Sequence, residues 1–172
     1  VNSYVAGEQY EPSITALDDG GFAVAWRDNN GSADSRGGSS YDVFVKTFTI
    51  TDTDGNALET PVVAADEVLV NTYTSGSQYD PSIASLSDGG FVVTWRDDKG
   101  SSHDGGDGVD VFGQRFDAAG AKVGDDFLIN ADADSGSQYE PSIADLGDGK
   151  FVVTWRDDSG SSHDKNENDP TT

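Results

Sequence analysis

A passage of twenty residues occurs three times in this chain. It reads YEPSITALDDGGFAVAWRDN at Tyr10–Asn29, YDPSIASLSDGGFVVTWRDD at Tyr79–Asp98 and YEPSIADLGDGKFVVTWRDD at Tyr139–Asp158. Internal repetition constrains a fold more than composition does, because each copy has to adopt the same local structure and a small unit covers its apolar face only by stacking on its neighbours. Trp26, Trp95 and Trp155 mark the copies at separations of 69 and 60 residues. The extra length of the first copy falls between Thr49 and Val68. VNSYVAG at the start matches VNTYTSG at Val70–Gly76, which ends a unit. The chain is therefore expected to hold the end of a preceding repeat (1–6), a first repeat (7–75), a second (76–135), a partial third (136–164) and a polar tail (165–172).

The middle unit predicts four strands. PSIASL, Pro81–Leu86, is followed by the turn SDGG and then by FVVTWRD, Phe91–Asp97. Aspartate-glycine between two alternating apolar runs is a strong hairpin signal. VDVFGQRFD, Val109–Asp117, is the third strand, and the turn AAGAK leads to a fourth with its apolar end at Phe127–Asn130. No segment sustains a helical period. In Phe91–Asp97 both faces carry bulk, as in a sheet packed between two others; a strand with one wet face would alternate. The expected class is all-β: tandem four-stranded antiparallel blade-like repeats, forming a partial β-propeller or an open array. A β-sandwich repeat is the alternative. Open sheet edges in such an array favour self-association.

The formal charge is −22, from 32 acids against 10 bases. Such a chain repels nucleic acid and anionic membrane and attracts cations. There is no cysteine, so neither disulfides nor thiolate metal sites contribute. No apolar run approaches the ~18 residues of a membrane span, and no signal peptide is visible.

The acids crowd where the second strand leads to the third. Asp97, Asp98, Asp104, Asp107 and Asp110 fall within 14 residues; their counterparts are Asp28, Asn29, Asp34 and Asp42 in the first unit and Asp157, Asp158 and Asp164 in the third. Two carboxylates ~5 Å apart repel by about 3 kcal/mol at an effective dielectric of 20. Calcium relieves that crowding with six to eight oxygen ligands in tolerant geometry. An ordinary solvated acidic loop is the alternative. GGDGVDVFG, Gly105–Gly113, also fits one nonapeptide of the calcium-binding G-G-x-G-x-D-x-U-x pattern, though a single match does not build a roll.

Other motifs are weaker. SSHD at Ser101–Asp104 and Ser161–Asp164 holds triad residue types, but triads assemble from residues apart in sequence. His103 and His163 are too few for an ordinary zinc site. DTDGN, Asp52–Asn56, resembles part of an EF-hand loop but has Ile50 where an acid is required, so a hairpin turn accounts for it better. The pairs Trp26–Arg27, Trp95–Arg96 and Trp155–Arg156 could stack on a sugar, making a cell-surface glycan a candidate partner. Core packing of the Trp, with the Arg paired to a nearby acid, is the plainer reading. Acid positions repeat from unit to unit, whereas a glycosidase pair has to be singular, so no catalytic residue is assigned.

The run QYDPSIASLSDGGFVVTWRDD followed by DGVDVFGQRFDAAGAKVGDDFLIN resembles the tandem repeats of very large secreted bacterial proteins, RTX-type adhesins and hemolysin-like proteins among them. The likeness covers all but the last eight residues. It implies a non-enzymatic, calcium-loaded array at or beyond the cell surface, with Asp97, Asp107 and Asp110 as ligands. In the first unit DVFVKTFTITDTDG replaces DVFGQRFDAAG, a departure from the pattern.

Overall fold

A computed structural model describes residues 7–29, 41–52, 54–98, 108–131 and 136–158. Ten strands follow in chain order: β1 Gln9–Ala16, β2 Phe22–Asp28, β3 Asp42–Thr51, β4 Ala57–Leu69, β5 Gln78–Ser85, β6 Phe91–Asp97, β7 Asp110–Phe116, β8 Lys122–Leu128, β9 Gln138–Gly147 and β10 Lys150–Asp157. They form two four-stranded sheets, β1-β2-β3-β4 and β5-β6-β7-β8, and the pair β9-β10. All pairing is antiparallel between sequence neighbours. The fold class is all-β with antiparallel four-stranded sheets, and no helix occurs among the described residues. In the second unit the expected second strand is present to the residue and the third to within one residue at each end.

Two elements differ from expectation. β8 begins at Lys122, well before the apolar run that marked it, and takes in Gly124, Asp125 and Asp126. It is the outer strand of its sheet, so ladder bonds to β7 suffice and its side chains need no burial. β4 runs for 13 residues, and the extra length of the first unit extends the β3–β4 hairpin rather than adding an element.

The sheets stack face on face, and the order of faces is fixed. Phe91, Val93, Trp95, Phe112 and Phe116 of the second sheet meet Ala23, Ala25, Val43 and Val45 of the first in one buried cluster. Ala84, Leu86 and Val92, on the other face of the second sheet, meet Ile143 with Phe151 and Val153 beside it. Every residue of β6 except Arg96 is therefore buried. β10 repeats the heptapeptide FVVTWRD of β6, yet none of its residues is fully buried. Small residues at Ala23 and Ala25 leave room for the indole and phenyl rings of the sheet above. Those rings stack across strands: Phe91 on Phe116 at 4.8 Å and Trp95 on Phe112 at 6.2 Å, as Phe22 does on Phe48 at 4.9 Å and Trp26 on Phe44 at 6.3 Å.

The β1–β2 and β5–β6 turns need glycine at their last position. A Cβ on Gly21 would lie 2.3 Å from the Phe48 carbonyl oxygen, and one on Gly90 would lie 2.4 Å from that of Phe116. The third strand comes that close. In the third unit this position is Lys150, beside which no third strand runs among the described residues.

The contrast between β6 and β10 gives a direct test. Trp95 is 1 % exposed and Trp155 is 37 % exposed. Trp95→Ala is expected to lower stability by about 3–5 kcal/mol, and Trp155→Ala by about 1 kcal/mol or less, in urea unfolding followed by far-UV circular dichroism. Equal losses would contradict the packing described.

Candidate functional site

Three repeated arrangements are built where the second strand of a unit ends and the third begins. The first pairs aspartates across strands. Asp28 stands opposite Asp42 at the last rung between β2 and β3, and Asp97 opposite Asp110 between β6 and β7. All four are buried, at 2, 2, 3 and 8 % exposure. Like charges directly opposite on a sheet oppose folding unless something compensates them. Part of the compensation is visible. Asn71 Nδ2 donates to Asp42 Oδ1 at 2.7 Å, and Asn130 Nδ2 donates to Asp110 Oδ1 at 2.7 Å. Each asparagine also accepts a backbone N–H of the third strand, from Val43 and from Val111, at 2.8 Å.

The first residue of the next unit's first strand completes this clasp. Turned so that its nitrogen faces the carboxylate, Gln78 donates to Asp42 Oδ1 at 3.0 Å and to the Tyr41 carbonyl at 2.8 Å; Gln138 likewise donates to Asp110 Oδ1 at 3.3 Å and to the Val109 carbonyl at 2.8 Å. A carboxylate takes only donors, which selects that orientation. Backbone bonds from Gln78 N to Tyr41 O and from Gln138 N to Val109 O, both 2.8 Å, lie beside it. Aspartate, asparagine and glutamine thus lock each unit to the next where β3 and β7 begin. Within the first unit Gln9 Nε2 donates to Asp28 Oδ2 at 3.3 Å.

The second arrangement uses the acid after that pair. Asp98 Oδ1 accepts from Ser77 N at 2.6 Å and Asp98 N donates to Ser77 O at 3.1 Å; Asp158 makes the same two bonds with Ser137 at 2.7 and 3.1 Å. Asn29 does so with Glu8. The bond needs an oxygen, not a charge, which explains why asparagine stands at 29.

The third is a ladder of arginine and tyrosine. Arg27 lies over Tyr10, Tyr41 and Tyr79 at 4.9, 4.4 and 4.7 Å from the ring centres. Arg96 lies over Tyr79 and Tyr139 at 4.4 and 5.2 Å, and Arg156 over Tyr139 at 4.8 Å. Each guanidinium also pairs with the acid after its own unit's tyrosine: Arg27 with Glu11 at 3.2 Å, Arg96 with Asp80 at 3.2 Å and Arg156 with Glu140 at 3.6 Å. Those acids adopt φ of +53°, +53° and +54° at a bulge in the first strand. Left-handed backbone is uncommon for such residues, and here it turns the carboxylate toward the arginine.

Of the residues singled out for calcium, Asp34, Asp104, Asp107 and Asp164 lie outside the described residues, as do His103 and His163. Asp157 pairs with Gln138 on an exposed strand. Among the described residues no three acidic or histidine side chains gather to hold a metal ion. Trp26 and Trp95 lie in the core and only Trp155 is exposed. Asp52 closes the β3–β4 turn: its carboxylate accepts from Asn56 N at 2.8 Å, from Asp54 N at 3.0 Å and from Asn56 Nδ2 at 3.1 Å. The Asn56 side-chain bond, with backbone bonds from Asn56, Asp54 and Gly55, holds its pKa below the usual carboxylate value. The hairpin-turn reading of DTDGN agrees with this geometry. The sequence reading missed Asn71, Gln78, Asn130 and Gln138; the repeated asparagine seven or eight residues before GSQY's glutamine was the available signal.

No protein-family model, curated protein or solved structure matches the chain.

Asn130→Ala would leave the Val111 N–H and the Asp110 carboxylate short of partners in a buried place, so it should cost about 2–4 kcal/mol. Asn29→Asp keeps the one oxygen that is used and should change stability by less than about 0.5 kcal/mol. Urea unfolding of both variants checks the contrast; a neutral Asn130→Ala would remove the clasp from the account.

Proposed function

We propose that this chain is a non-enzymatic structural or adhesive repeat segment of a secreted bacterial surface protein, with calcium stiffening its units at their acidic end. One observation carries the reading: successive units are joined by the same contacts each time. Ser13 Oγ accepts from Ile83 N at 3.3 Å, and Ser82 Oγ accepts from Ile143 N at 3.3 Å. Arg27 and Arg96 each span the tyrosines of two neighbouring units. Chemistry at one place would need one unit to differ from the others; transmission of shape along an array needs them alike. In this reading the sheets are blades, and β1, β5 and β9 form the line about which they are arranged.

Calcium suits the donor set. The buried pairs Asp28–Asp42 and Asp97–Asp110 are hard oxygen donors on adjoining strands, and each pair flanks the segment that carries the remaining acids of its unit. Asp97 and Asp110, with Asp104 and Asp107, would hold the ion in the second unit. Asp28 and Asp42, with Asp34, would do so in the first. The extracellular setting comes from the resemblance to RTX-type repeats. Binding of a surface glycan by the Trp–Arg pairs has less support, since Trp26 and Trp95 are buried.

Thermal unfolding in millimolar calcium, in magnesium and in chelator tests the proposal. Free calcium at one hundred times its dissociation constant would add about 2.7 kcal/mol, and the midpoint should rise by several degrees in calcium alone. Asp97→Asn with Asp110→Asn should abolish most of that rise. An identical midpoint in calcium and chelator would overturn the calcium reading.

A further inference from the structure

We propose that this array has a set release point: three side chains grade the junctions between its units, and their pattern makes the junction after the second unit open before the one after the first. The inference rests on the reading of the chain as a repeat array and does not depend on calcium. The grading lies at places that both junctions possess, along β1, β5 and β9 and at the residue before the third strand. Much of each junction is the same. Ser13 Oγ accepts from Ile83 N and Ser82 Oγ from Ile143 N, both at 3.3 Å. Gln78 N and Gln138 N donate to the carbonyls of Tyr41 and Val109, both at 2.8 Å.

Three places differ. The first is the acid at the bulge. Glu11 Oε1 pairs with Arg27 at 3.2 Å while its Oε2 accepts the Asp80 amide of the next unit at 2.8 Å. Asp80 stands at the same place one methylene shorter. Its carboxylate pairs with Arg96 at 3.2 Å, and among the described residues it takes no bond from the Glu140 amide. The second is Thr15, whose Oγ1 accepts from Ser85 N at 3.1 Å and donates to Ser85 Oγ at 3.4 Å. Ala84 occupies that place in the second unit and has no oxygen to offer; it packs with Ile143 instead. The third is Tyr41. Arg27 lies among the rings of Tyr10, Tyr41 and Tyr79, whereas Val109 replaces the middle ring in the second unit and Arg96 lies between Tyr79 and Tyr139 alone.

The second junction has contacts of its own. Gly149 N donates to Ser87 Oγ at 3.1 Å, and Phe127 meets Phe151 at 6.2 Å. These lie at the turns and on the outer strand. Along the line of first strands the second junction is the poorer by two amide bonds, and at the arginine ladder by one ring. An amide hydrogen bond and a cation–π contact each shift an opening equilibrium by up to about tenfold. An array built this way parts in a fixed order, because the poorer junction opens under a load that the richer one still bears.

Amide hydrogen exchange of the full chain, followed by NMR in calcium and in chelator, tests the grading. The amides of Gln138 and Ile143, like those of Gln78, Ile83 and Ser85, are held by the neighbouring unit, so their exchange reports the opening of their own junction. Asp80→Glu with Val109→Tyr writes the first junction's residues into the second. The backbone accepts the glutamate, since Glu11 and Glu140 hold the same left-handed φ and pair with their arginines. Exchange at Gln138 and Ile143 should slow about tenfold, with Ile83 and Ser85 unchanged. Glu11→Asp with Tyr41→Val should do the reverse, speeding Gln78, Ile83 and Ser85 about tenfold and leaving Gln138 and Ile143 as they were. Far-UV spectra confirm that the sheets remain in both variants. Unchanged exchange at the altered junction in either variant overturns the proposal. That result, with a calcium-dependent midpoint intact, would remove the release point and leave the array reading standing.

Discussion

The first strand of each unit is an edge strand, and the structure depends on how that edge is covered. β5 pairs with β6 on one side only, so the outward amides along its other side lack a ladder partner within the sheet. A buried amide without a partner is costly. The preceding unit supplies acceptors for four of these outward amides. Gln78 N donates to Tyr41 O, Asp80 N to Glu11 Oε2 at 2.8 Å, Ile83 N to Ser13 Oγ and Ser85 N to Thr15 Oγ1 at 3.1 Å. These acceptors are one carbonyl just before β3 and one carboxylate and two hydroxyls on β1, and their donors are spaced along β5. A sheet of this kind is incomplete alone, and its neighbour is part of its hydrogen bonding as well as of its core.

This requirement accounts for much of the repeated passage. In YDPSIAS the serine bonds the next unit, the tyrosine carries an arginine on each side, and the acid reaches its own unit's arginine across a bulge. The aspartate and asparagine after the tryptophan hold the first strand to the second from its far end. The succession of short apolar runs and Asp-Gly turns made β2, β6 and β10 legible, and in β2 and β6 those side chains are the core. It did not reveal the start of β8, where glycine and two aspartates ride on backbone bonds at a sheet edge. Burial on both faces was readable in β6 from bulk at consecutive positions. The same letters in β10 lie in half-exposed surroundings, since that environment belongs to the neighbours and not to the segment.

The candidate site was legible in a similar, partial way. Four of the aspartates singled out for calcium, Asp28, Asp42, Asp97 and Asp110, stand in two cross-strand pairs, which their spacing in the sequence did not announce. What spacing could not show is that each third-strand aspartate is already engaged by an asparagine and a glutamine from across a unit boundary. Neutral amides leave no charge signature, and their partners are distant in the chain. Asn71 bonds Asp42 across 29 residues, and Asn130 bonds Asp110 across 20. Nor does a sequence separate an aspartate used for its charge from one used as an oxygen; only the pair Asn29 and Asp98, doing the same thing, makes that separation.

The ladder of tyrosine and arginine shows how the units become a single mechanical body. Each bulge holds Glu11, Asp80 or Glu140 in left-handed backbone at a cost of about 1 kcal/mol. That cost buys the placement of an anion against a guanidinium which is itself sandwiched between rings, where cation–π attraction is worth about 1–2 kcal/mol as water is excluded. The side chains of Arg27 and Arg96 are 14 and 22 % exposed and that of Arg156 is 60 % exposed, so the gain grows where a further unit is stacked above. Local strain is constant per unit and its compensation depends on the neighbour. An energy function of that form favours extending the stack over maintaining separate units, and it makes bending at one junction break an arginine's contacts with two units together. Stiffness along the array then follows from the same residues that set the bulge, with no need for a larger apolar core.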